Sequence, residues 1–258
     1  MKNKFPVSHF PAGIWTFLCL SCACAAVHAQ TPDSLIFIQP QPAEIVHWTT
    51  YKPGRKLPLA ALKLDTGYGW RVAATTDQLT ADMKEYYEHL KSAFVWNVSF
   101  DFFFNDMFGI RMAFYQYRAS HSDQAYRIDT GQSGTLATRD RITYIGPAFV
   151  FRMSFGHNSW IFDANAGMGY IGYRENVTFA DEYFRSNGAS LGAQTGAGLE
   201  YKITPQWGIG INMLLTSGEI TELHYNENGV KTTQTYDINE GEGLGQISLG
   251  IGIRYYIK

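Results

Sequence analysis

The sequence predicts an all-β protein, an eight-stranded antiparallel up-and-down transmembrane β-barrel with short periplasmic turns and long extracellular loops. Three observations predict this fold. Eight stretches of roughly 9 to 13 residues alternate between apolar and small or polar residues, with the period of a β-strand. Every charged residue in these stretches falls on the face opposite the apolar one. Short connections alternate with long ones along the chain.

Residues 1–29 have the features of a secretory signal peptide, which is removed during export. Lys2 and Lys4 precede an apolar segment, and small residues occupy positions just before Gln30. All three cysteines of the chain lie in this peptide. The exported protein is therefore expected to contain neither disulfides nor thiolate metal sites.

Residues 30–57 precede the first alternating stretch and are punctuated by prolines. We expect them to form an extended segment in the periplasm, because proline removes a backbone donor and favours extended chain. An additional strand pair in this segment would give ten strands instead of eight. The barrel itself is assigned to residues 58–258.

The eight predicted strands follow one another with the same pattern. In chain order, the alternating stretches are residues 62–72, 94–104, 108–116, 143–153, 160–170, 191–203, 207–215 and 247–257. One face of each stretch is rich in Leu, Ile, Val, Phe, Tyr, Trp and Met, and the other in Gly, Ala, Ser and Asn. Residues this small suit a narrow lumen better than a hydrated protein surface, whereas a soluble sandwich or barrel would place charges on its outer face.

Charged residues within the strands all share the small-residue face. They are Lys63, Asp65, Arg71, Asp101, Arg111, Arg152, Asp163, Glu200, Lys202 and Arg254. An arginine that faces lipid at the bilayer midplane costs about 2–4 kcal/mol, so a bilayer selects this arrangement. Because side chains just fill the interior of an eight-stranded barrel, we expect these residues to form a salt-bridged network that plugs the lumen. A narrow ion-conducting pore is the alternative.

Connection lengths set the orientation of the barrel. The links at residues 105–107, 156–159 and 204–206 are short, whereas the other connections are much longer. In outer-membrane barrels the short turns are periplasmic and the long loops extracellular.

The glycines Gly167, Gly169 and Gly172 match the G-x-G-x-x-G spacing of dinucleotide-binding folds. That fingerprint requires a strand followed by a helix whose N-terminus meets the phosphates. Here all three glycines lie within one predicted strand, so we interpret them as packing positions that leave room for long neighbours such as Arg152 and Glu200.

Histidines provide the candidate catalytic and metal-binding residues. His157-Asn158-Ser159 has the His-x-Ser spacing of lipid A-modifying barrels but lies in a predicted periplasmic turn, and His121-Ser122, near Asp129, lacks the spacing. The remaining histidines are scattered and form no metal pattern. We therefore expect no catalytic, cofactor-binding or metal-binding residue. The chain has 21 basic and 23 acidic residues, which gives no reason to expect a nucleic-acid partner.

Three extracellular connections have features of their own. Residues 80–92 place Met83, Tyr86, Tyr87 and Leu90 on one side of a short amphipathic helix, which we expect to rest on the barrel rim or the headgroups. Residues 220–238 centre on Asn228-Gly229, which predicts a hairpin that extends the seventh and eighth strands. Residues 118–141 are polar, and we expect a mobile loop.

Residues 58–258 resemble the small eight-stranded outer-membrane barrels, such as the OmpA transmembrane domain, OmpX and the Bacteroidetes "outer membrane protein beta-barrel" proteins. The resemblance rests on strand number, loop asymmetry, the strands "YIGPAF" and "GMGYIGY", and the last strand. In that strand "SLGIGIRY" is similar to the family's assembly signal, which would comprise Ser248, Gly250, Ile253 and Tyr255. The chain ends in Tyr256-Ile257-Lys258, without the usual terminal aromatic residue.

The resemblance implies an outer-membrane location, contact with membrane lipids and lipopolysaccharide, and recognition by the outer-membrane assembly machinery. We expect a monomer without a cofactor that is not an enzyme, and that serves a structural or surface-interaction role by presenting its loops to an extracellular ligand or protein. A narrow pore and a lipid A-modifying enzyme are the alternatives.

If residues 1–29 are a signal peptide, the protein extracted from the membrane should begin at Gln30. Edman sequencing or mass spectrometry of the extracted N-terminus tests this. A protein that begins at Met1, or at a lipidated cysteine, would contradict the expected route of export.

Overall fold

The computed structural model describes residues 57–72, 81–127, 132–180, 182–227, 229–237 and 241–257. These residues belong to one compact unit of the chain. The predicted signal peptide and almost all of the predicted periplasmic segment lie outside the described residues. Within the described ranges, no helix is long and apolar enough to span a membrane.

The described chain is built almost entirely from strands. In order, they and one helix are β1 (Ala60–Arg71), α1 (Ala81–Leu90), β2 (Ser92–Phe103), β3 (Phe108–Arg127), β4 (Gln132–Phe155), β5 (Trp160–Phe179), β6 (Glu182–Lys202), β7 (Trp207–Ile220), β8 (Glu222–Glu227), β9 (Val230–Thr235), β10 (Glu242–Gly243) and β11 (Gln246–Ile257).

Eight of these strands form a ring of antiparallel pairings. Each strand from β1 to β7 pairs with the next, β7 pairs with β11, and β11 returns to β1. The register places Lys63 opposite Arg254 on one side and opposite Ser99 on the other. This confirms the predicted eight-stranded up-and-down barrel.

Alternation along the strands places apolar side chains outside and charged side chains inside. Phe149 is 79% exposed on the outer face, whereas Asp101 is fully buried and Arg254 is 1% exposed on the inner face. Along β4 the outer apolar face runs from Ile145 to Phe155, which corresponds to about 25 Å across the bilayer for a strand tilted by roughly 40°. The predicted assignment of the two faces is therefore correct.

The two faces exchange character above the apolar band. On β3 the outer face changes from Met112 and Phe114 to Gln116 and Arg118, while the inner face changes from small residues to Tyr115 and Tyr117. The strands β4 and β5 change at the same level, since Tyr115 pairs with Tyr144 and Tyr144 with Ile171. Beyond this level the barrel has polar side chains in contact with water and an apolar core, as a soluble β-protein has.

The prediction of a mobile loop at residues 118–141 is wrong, because β3 and β4 continue as a paired hairpin as far as Arg127 and Gln132. Apolar side chains of this hairpin, among them Tyr117 and Ile142, are fully buried in the upper core. That burial stabilises the extension, and it follows from the exchange of the two faces.

The predicted helix forms as α1, but its expected position on the rim or headgroups is wrong. Tyr86 and Leu90 are buried in the same cluster as Tyr117 and Ile142, in the upper interior of the barrel. The hydroxyl of Tyr86 donates to Oγ1 of Thr138 at 2.8 Å, and the backbone carbonyl of Leu90 accepts from the Tyr117 hydroxyl at 2.8 Å. Hence α1 fills the extracellular mouth.

The predicted hairpin around Asn228-Gly229 forms as β8 and β9, but it does not extend β7 and β11. Strand β8 pairs with the upper part of β6, from Phe184 to Gly188, and β9 pairs with β8. The hairpin therefore widens the extracellular sheet next to β6. The positive φ of Gly229, 93°, fits a tight hairpin turn.

Gly167 and Gly169 are packing positions, although not for the reason expected from the sequence. A Cβ on Gly167 would overlap the carbonyl oxygen of Pro147, and one on Gly169 would overlap that of Ile145. Along β4 and β5, Ile145 pairs with Tyr170 and Ala148 pairs with Gly167. Pro147 lies between these two pairs, and it cannot donate a hydrogen bond to the neighbouring strand because it has no backbone N–H. The glycines allow the two backbones to approach closely at this point.

The outer face predicts a depth-dependent effect of charge. Replacing Phe100 at the middle of β2 with arginine should lower the free energy of unfolding by about 2–4 kcal/mol, whereas Phe104→Arg near the membrane edge should cost about 1 kcal/mol or less. Urea titration of the protein folded into phospholipid vesicles measures both. Equal costs would mean that the apolar band is not in lipid.

Candidate functional site

The centre of the lumen is organised around the ammonium group of Lys63 on β1. Its Nζ lies 2.9 Å from Oδ2 of Asp101 on β2, 3.0 Å from Oδ2 of Asp163 on β5 and 2.6 Å from Oε1 of Glu200 on β6. All four side chains are at most 5% exposed. One cation thus joins carboxylates from three other strands across the lumen.

Two arginines complete this ion-pair network. Arg111 donates to both oxygens of Asp101, at 2.6 and 2.7 Å, and to Oδ1 of Asp163 at 2.8 Å. Arg254 donates to Oδ1 of Asp65 at 2.5 Å and to Oε1 of Glu200 at 3.1 Å. Arg111 thus holds Asp101 in a bidentate pair, which is the strongest form of an ion-paired hydrogen bond.

Every oxygen of the four carboxylates has a partner. Besides the contacts to cations, Asn97 donates to Oδ2 of Asp65 at 3.4 Å and the Tyr256 hydroxyl donates to Oε2 of Glu200 at 2.9 Å. Burial of a charge is tolerated only when the charge is paired and its remaining lone pairs are satisfied. The network meets both conditions.

Strand β7 supplies space to the network instead of charge. Gly210 faces Arg254, and a Cβ there would lie 3.1 Å from Nη2 of that guanidinium. The glycine-rich inner face of β7 therefore lets a long arginine side chain cross the lumen.

Arg152 and Lys202 lie closer to the short turns than this network. We expected Arg152 to pair with a carboxylate, but none among the described residues is within salt-bridge distance of it. Its guanidinium donates instead to the backbone carbonyls of Pro58 at 2.8 Å and Asp106 at 3.0 Å, and it lies 3.5 Å from the centre of the Phe103 ring. Asp163 lies opposite Arg152 on the neighbouring strand, but its carboxylate already accepts hydrogen bonds from Lys63 and Arg111.

Lys202 lies near an aromatic ring. Its Nζ is 5.6 Å from the centre of the Tyr256 ring.

Arg71 belongs to a second charged cluster, in the extracellular part of the barrel. Its Nη2 lies 2.6 Å from Oε1 of Glu242, and its Nη1 lies 3.7 Å from Oδ2 of Asp140. Asp140 pairs in register with Glu175, and both side chains point inward above the membrane. Burial, together with the negative charge of Glu175, raises the pKa of Asp140 to about 8, although Arg71 opposes the shift. Burial also raises the pKa of Glu175.

Sequence reasoning missed Asp140, Glu175 and Glu242 because the strands were ended too early. The signal was present, since the apolar residues of β3, β4 and β5 change face at the membrane edge and the alternation then continues. Extending each strand through that change would have placed Asp140 and Glu175 side by side on the inner face.

The cavity within the central network is very small. It has a volume of about 10 Å³ and is lined by residues that include Lys63, Asp65, Arg111, Asp163 and Arg254. A single water molecule requires about 10–15 Å³. A larger hollow of about 490 Å³ lies on the lipid-facing side, between Thr66, Leu199, Ile211 and Leu249, and so provides no path through the lumen.

Among the described residues, the candidate catalytic side chains do not assemble into a site. His157 and Asn158 occupy the short β4–β5 turn with φ angles of 57° and 66°, and Asn158 accepts a hydrogen bond from Ser154. His121 stacks on His89 at 4.5 Å, whereas Ser122, the next residue of β3, points to the opposite face. Asp129 lies outside the described residues. In the described part of the chain, no group of His, Cys, Asp or Glu is arranged to hold a metal ion.

The residues of the proposed assembly signal all lie on β11. The Ser248 side chain is buried on the inner face, whereas Ile253 and Tyr255 are exposed on the outer face. The Tyr255 ring lies 4.9 Å from that of Trp207 at the short-turn end. Their role in assembly stays a prediction.

A family model described as "Outer membrane protein beta-barrel domain" matches residues 57–257, which include every described strand. The chain belongs to the outer membrane protein beta-barrel family. The family places the protein in the outer membrane, which confirms the predicted location. No curated protein sequence matches the chain.

Solved structures are similar to this family member at low sequence identity. A major outer membrane protein from Thermus thermophilus is 12% identical, with a TM-score of 0.52, and the match covers 76% of this chain and 98% of that one. The attachment invasion locus protein Ail of Yersinia pestis is 16% identical, with a TM-score of 0.45 and coverage of 76% and 98%. OprG from Pseudomonas aeruginosa is 12% identical, with a TM-score of 0.45 and coverage of 78% and 98%.

The central network predicts a large stability cost when one carboxylate is neutralised. Glu200→Gln should lower the free energy of unfolding by about 3–5 kcal/mol, because Lys63 and Arg254 would each lose a buried partner. The exposed Glu222→Gln on β8 is the control and should cost less than about 1 kcal/mol. Urea unfolding in vesicles compares the two variants, and a similar cost for both would contradict the network.

The extracellular cluster predicts a pH dependence of stability. The folded protein holds the Asp140 proton up to about pH 8, whereas an ordinary aspartate has a pKa of 3.8. Since the folded state then binds more protons than the unfolded state, the free energy of unfolding should fall as the pH rises from about 4 to 8. Asp140→Asn should make this slope less steep by up to about 1.4 kcal/mol per pH unit. An unchanged slope in urea titrations would refute the assignment.

Proposed function

We propose that this family member is a non-enzymatic outer-membrane barrel with a plugged lumen, and that it acts through the part of the barrel outside the membrane. The observation that carries the proposal is the central network, in which Lys63, Arg111 and Arg254 contact six of the eight oxygens of four buried carboxylates. The remaining cavity, about 10 Å³, is at the limit for one water molecule.

A second layer above the network supports the same proposal. The upper lumen is filled by a core of buried aromatic and aliphatic residues, including Tyr117, Ile142 and Tyr173, and α1 inserts Tyr86 and Leu90 into it. An ion would therefore have to cross this packed upper layer, which also contains the ion pair of Arg71 and Glu242, as well as the charged layer below it. A pore would require both to move.

The extracellular sheet favours a surface-interaction role. Strands β3 to β6 rise well above the apolar band, and β8 and β9 extend the sheet sideways. All six residues of β9 are exposed, and within the described residues no strand pairs with its outer edge. An open strand edge offers backbone donors and acceptors to an extended segment of another protein.

We further infer that the protein acts as a monomer inserted by the outer-membrane assembly machinery through β11. The eight strands of one chain complete the ring of pairings, so no strand from a second copy is required. The polar-glycine-hydrophobic pattern of Ser248, Gly250, Ile253 and Tyr255 on β11 supports recognition by that machinery.

Planar-bilayer recording tests whether the lumen is plugged. The wild-type protein should show little or no steady conductance. Glu200→Ala should conduct more, because it opens space and leaves Lys63 and Arg254 short of a partner, and the exposed Glu222→Ala should behave as the wild type. A wild-type protein that conducts steadily would refute the plug and support the pore.

Mass spectrometry of lipid A from cells with and without the protein tests the enzyme alternative, and a lipid A difference would support it.

A further inference from the structure

We propose that the outer surface of β3 to β6, just above the apolar band, binds the phosphate groups of lipid A in the outer leaflet. The site consists of a row formed by Arg118, Arg141 and Arg174, with Arg139 and Arg185 in the next row above. We call these five residues the arginine belt.

Strand register brings the arginine belt together. Arg118 on β3 pairs with Arg141 on β4, and Arg141 pairs with Arg174 on β5. In the next row outward, Arg139 and Arg185 flank Asn176 on β5. Adjacent strands are about 4.8 Å apart, so three exposed guanidinium groups leave the sheet side by side.

Among the described residues, the outer face of these strands holds no compensating negative charge. One register row across β3 to β6 consists of Arg118, Arg141, Arg174 and Asn187. In this row and farther from the membrane, the described residues that face away from the barrel include no aspartate or glutamate. Asp140 and Glu175 are nearby in sequence but point inward. Glu222, on the outer face of β8, lies 3.8 Å from Nε2 of His224. Like charges directly opposite each other destabilise a sheet, so a row of three arginines implies an anion from outside the protein.

The height of the arginine belt fits the headgroup layer. Arg141 lies four residues beyond Ile145, and Arg174 four residues beyond Tyr170, where Ile145 and Tyr170 are the last exposed apolar residues of their strands. Four residues of a tilted strand rise about 10 Å along the membrane normal. The headgroup region extends roughly 5–8 Å beyond the hydrocarbon core, so flexible arginine side chains reach it readily.

Neighbouring polar groups orient part of the belt. Gln116 accepts from Nε of Arg118 at 2.5 Å and from the Trp96 indole at 3.3 Å, and it donates to Thr143 at 3.2 Å. Nε of Arg118 is therefore engaged, which leaves its terminal nitrogens for an external anion. Arginine is suited to this role because its planar fork matches two phosphate oxygens at once.

The position of the belt favours a lipid over a soluble anion. A soluble anionic glycan would find the belt partly covered by headgroups, whereas a lipid phosphate reaches it from the side while its acyl chains cover Ile145 and Tyr170. We therefore assign the belt to the phosphates of lipid A, and a soluble anion becomes an outcome of the test.

The test measures binding of lipid A to the full-length protein in neutral detergent, with the variant Arg141→Gln/Arg174→Gln. Each arginine near an anionic surface changes affinity about fivefold, so the double variant should bind roughly 25-fold more weakly. Lys84→Gln/Lys231→Gln, which removes the same charge from α1 and β9, is the matched control and should bind as the wild type does. Lipid A without phosphates should show no difference between the variants.

The free energy of unfolding in vesicles gives a second readout, because lipid A should reverse which of the two proteins is the more stable. Without lipid A, Arg141→Gln/Arg174→Gln should be at least as stable as the wild type, because repulsion is relieved. With lipid A present, the wild type should become the more stable of the two. Equal losses in both double variants, undiminished binding of dephosphorylated lipid A, or equally tight binding of a soluble sulfated oligosaccharide would overturn the assignment.

Discussion

The interaction on which this barrel depends is the contact of one lysine with three carboxylates across the lumen. Nζ of Lys63 lies within 3.0 Å of Asp101, Asp163 and Glu200, which come from three different strands. Eight strands enclose too little space for bulk water, so the interior must be filled and each buried charge must contact a group of opposite charge or partial charge. The network of Lys63, Arg111 and Arg254 with the carboxylates meets both requirements, and it makes the closed lumen a consequence of how the ring is held together.

The membrane boundary imposes a second constraint, and the strands meet it by exchanging their two faces. Within the bilayer the outer face is apolar and the inner face is charged, whereas above it Tyr115, Tyr144 and Ile171 turn inward. The same exchange produces the core that receives α1 and turns Arg141 and Arg174 toward the headgroups. This single exchange of the inner and outer faces thus accounts for the core that receives α1, for the sheet outside the membrane and for the arginine belt.

The sequence was sufficient to predict the number of strands, their faces and the orientation, because period-2 alternation and loop asymmetry are local properties of the chain. It also placed Lys63, Asp101, Glu200 and Arg254 on the inner face. It did not predict which residues pair, because pairing across the lumen depends on register and side-chain reach, and the expected carboxylate partner of Arg152 was accordingly wrong. The length of the strands outside the membrane was underestimated for a physical reason. Where a strand leaves the lipid its outer face becomes polar, and its sequence then resembles that of a loop.

A double-mutant cycle between Lys63 and Glu200 tests the central claim most directly. Lys63→Met, Glu200→Gln and the double variant are unfolded with urea in the same vesicles, and the three losses in free energy of unfolding are compared. If the two side chains stabilise the barrel through their 2.6 Å contact, the double variant should lose about 1–3 kcal/mol less than the sum of the single variants. Losses that add to within about 0.5 kcal/mol would contradict the account, because independent side chains cannot hold the ring together through the lumen.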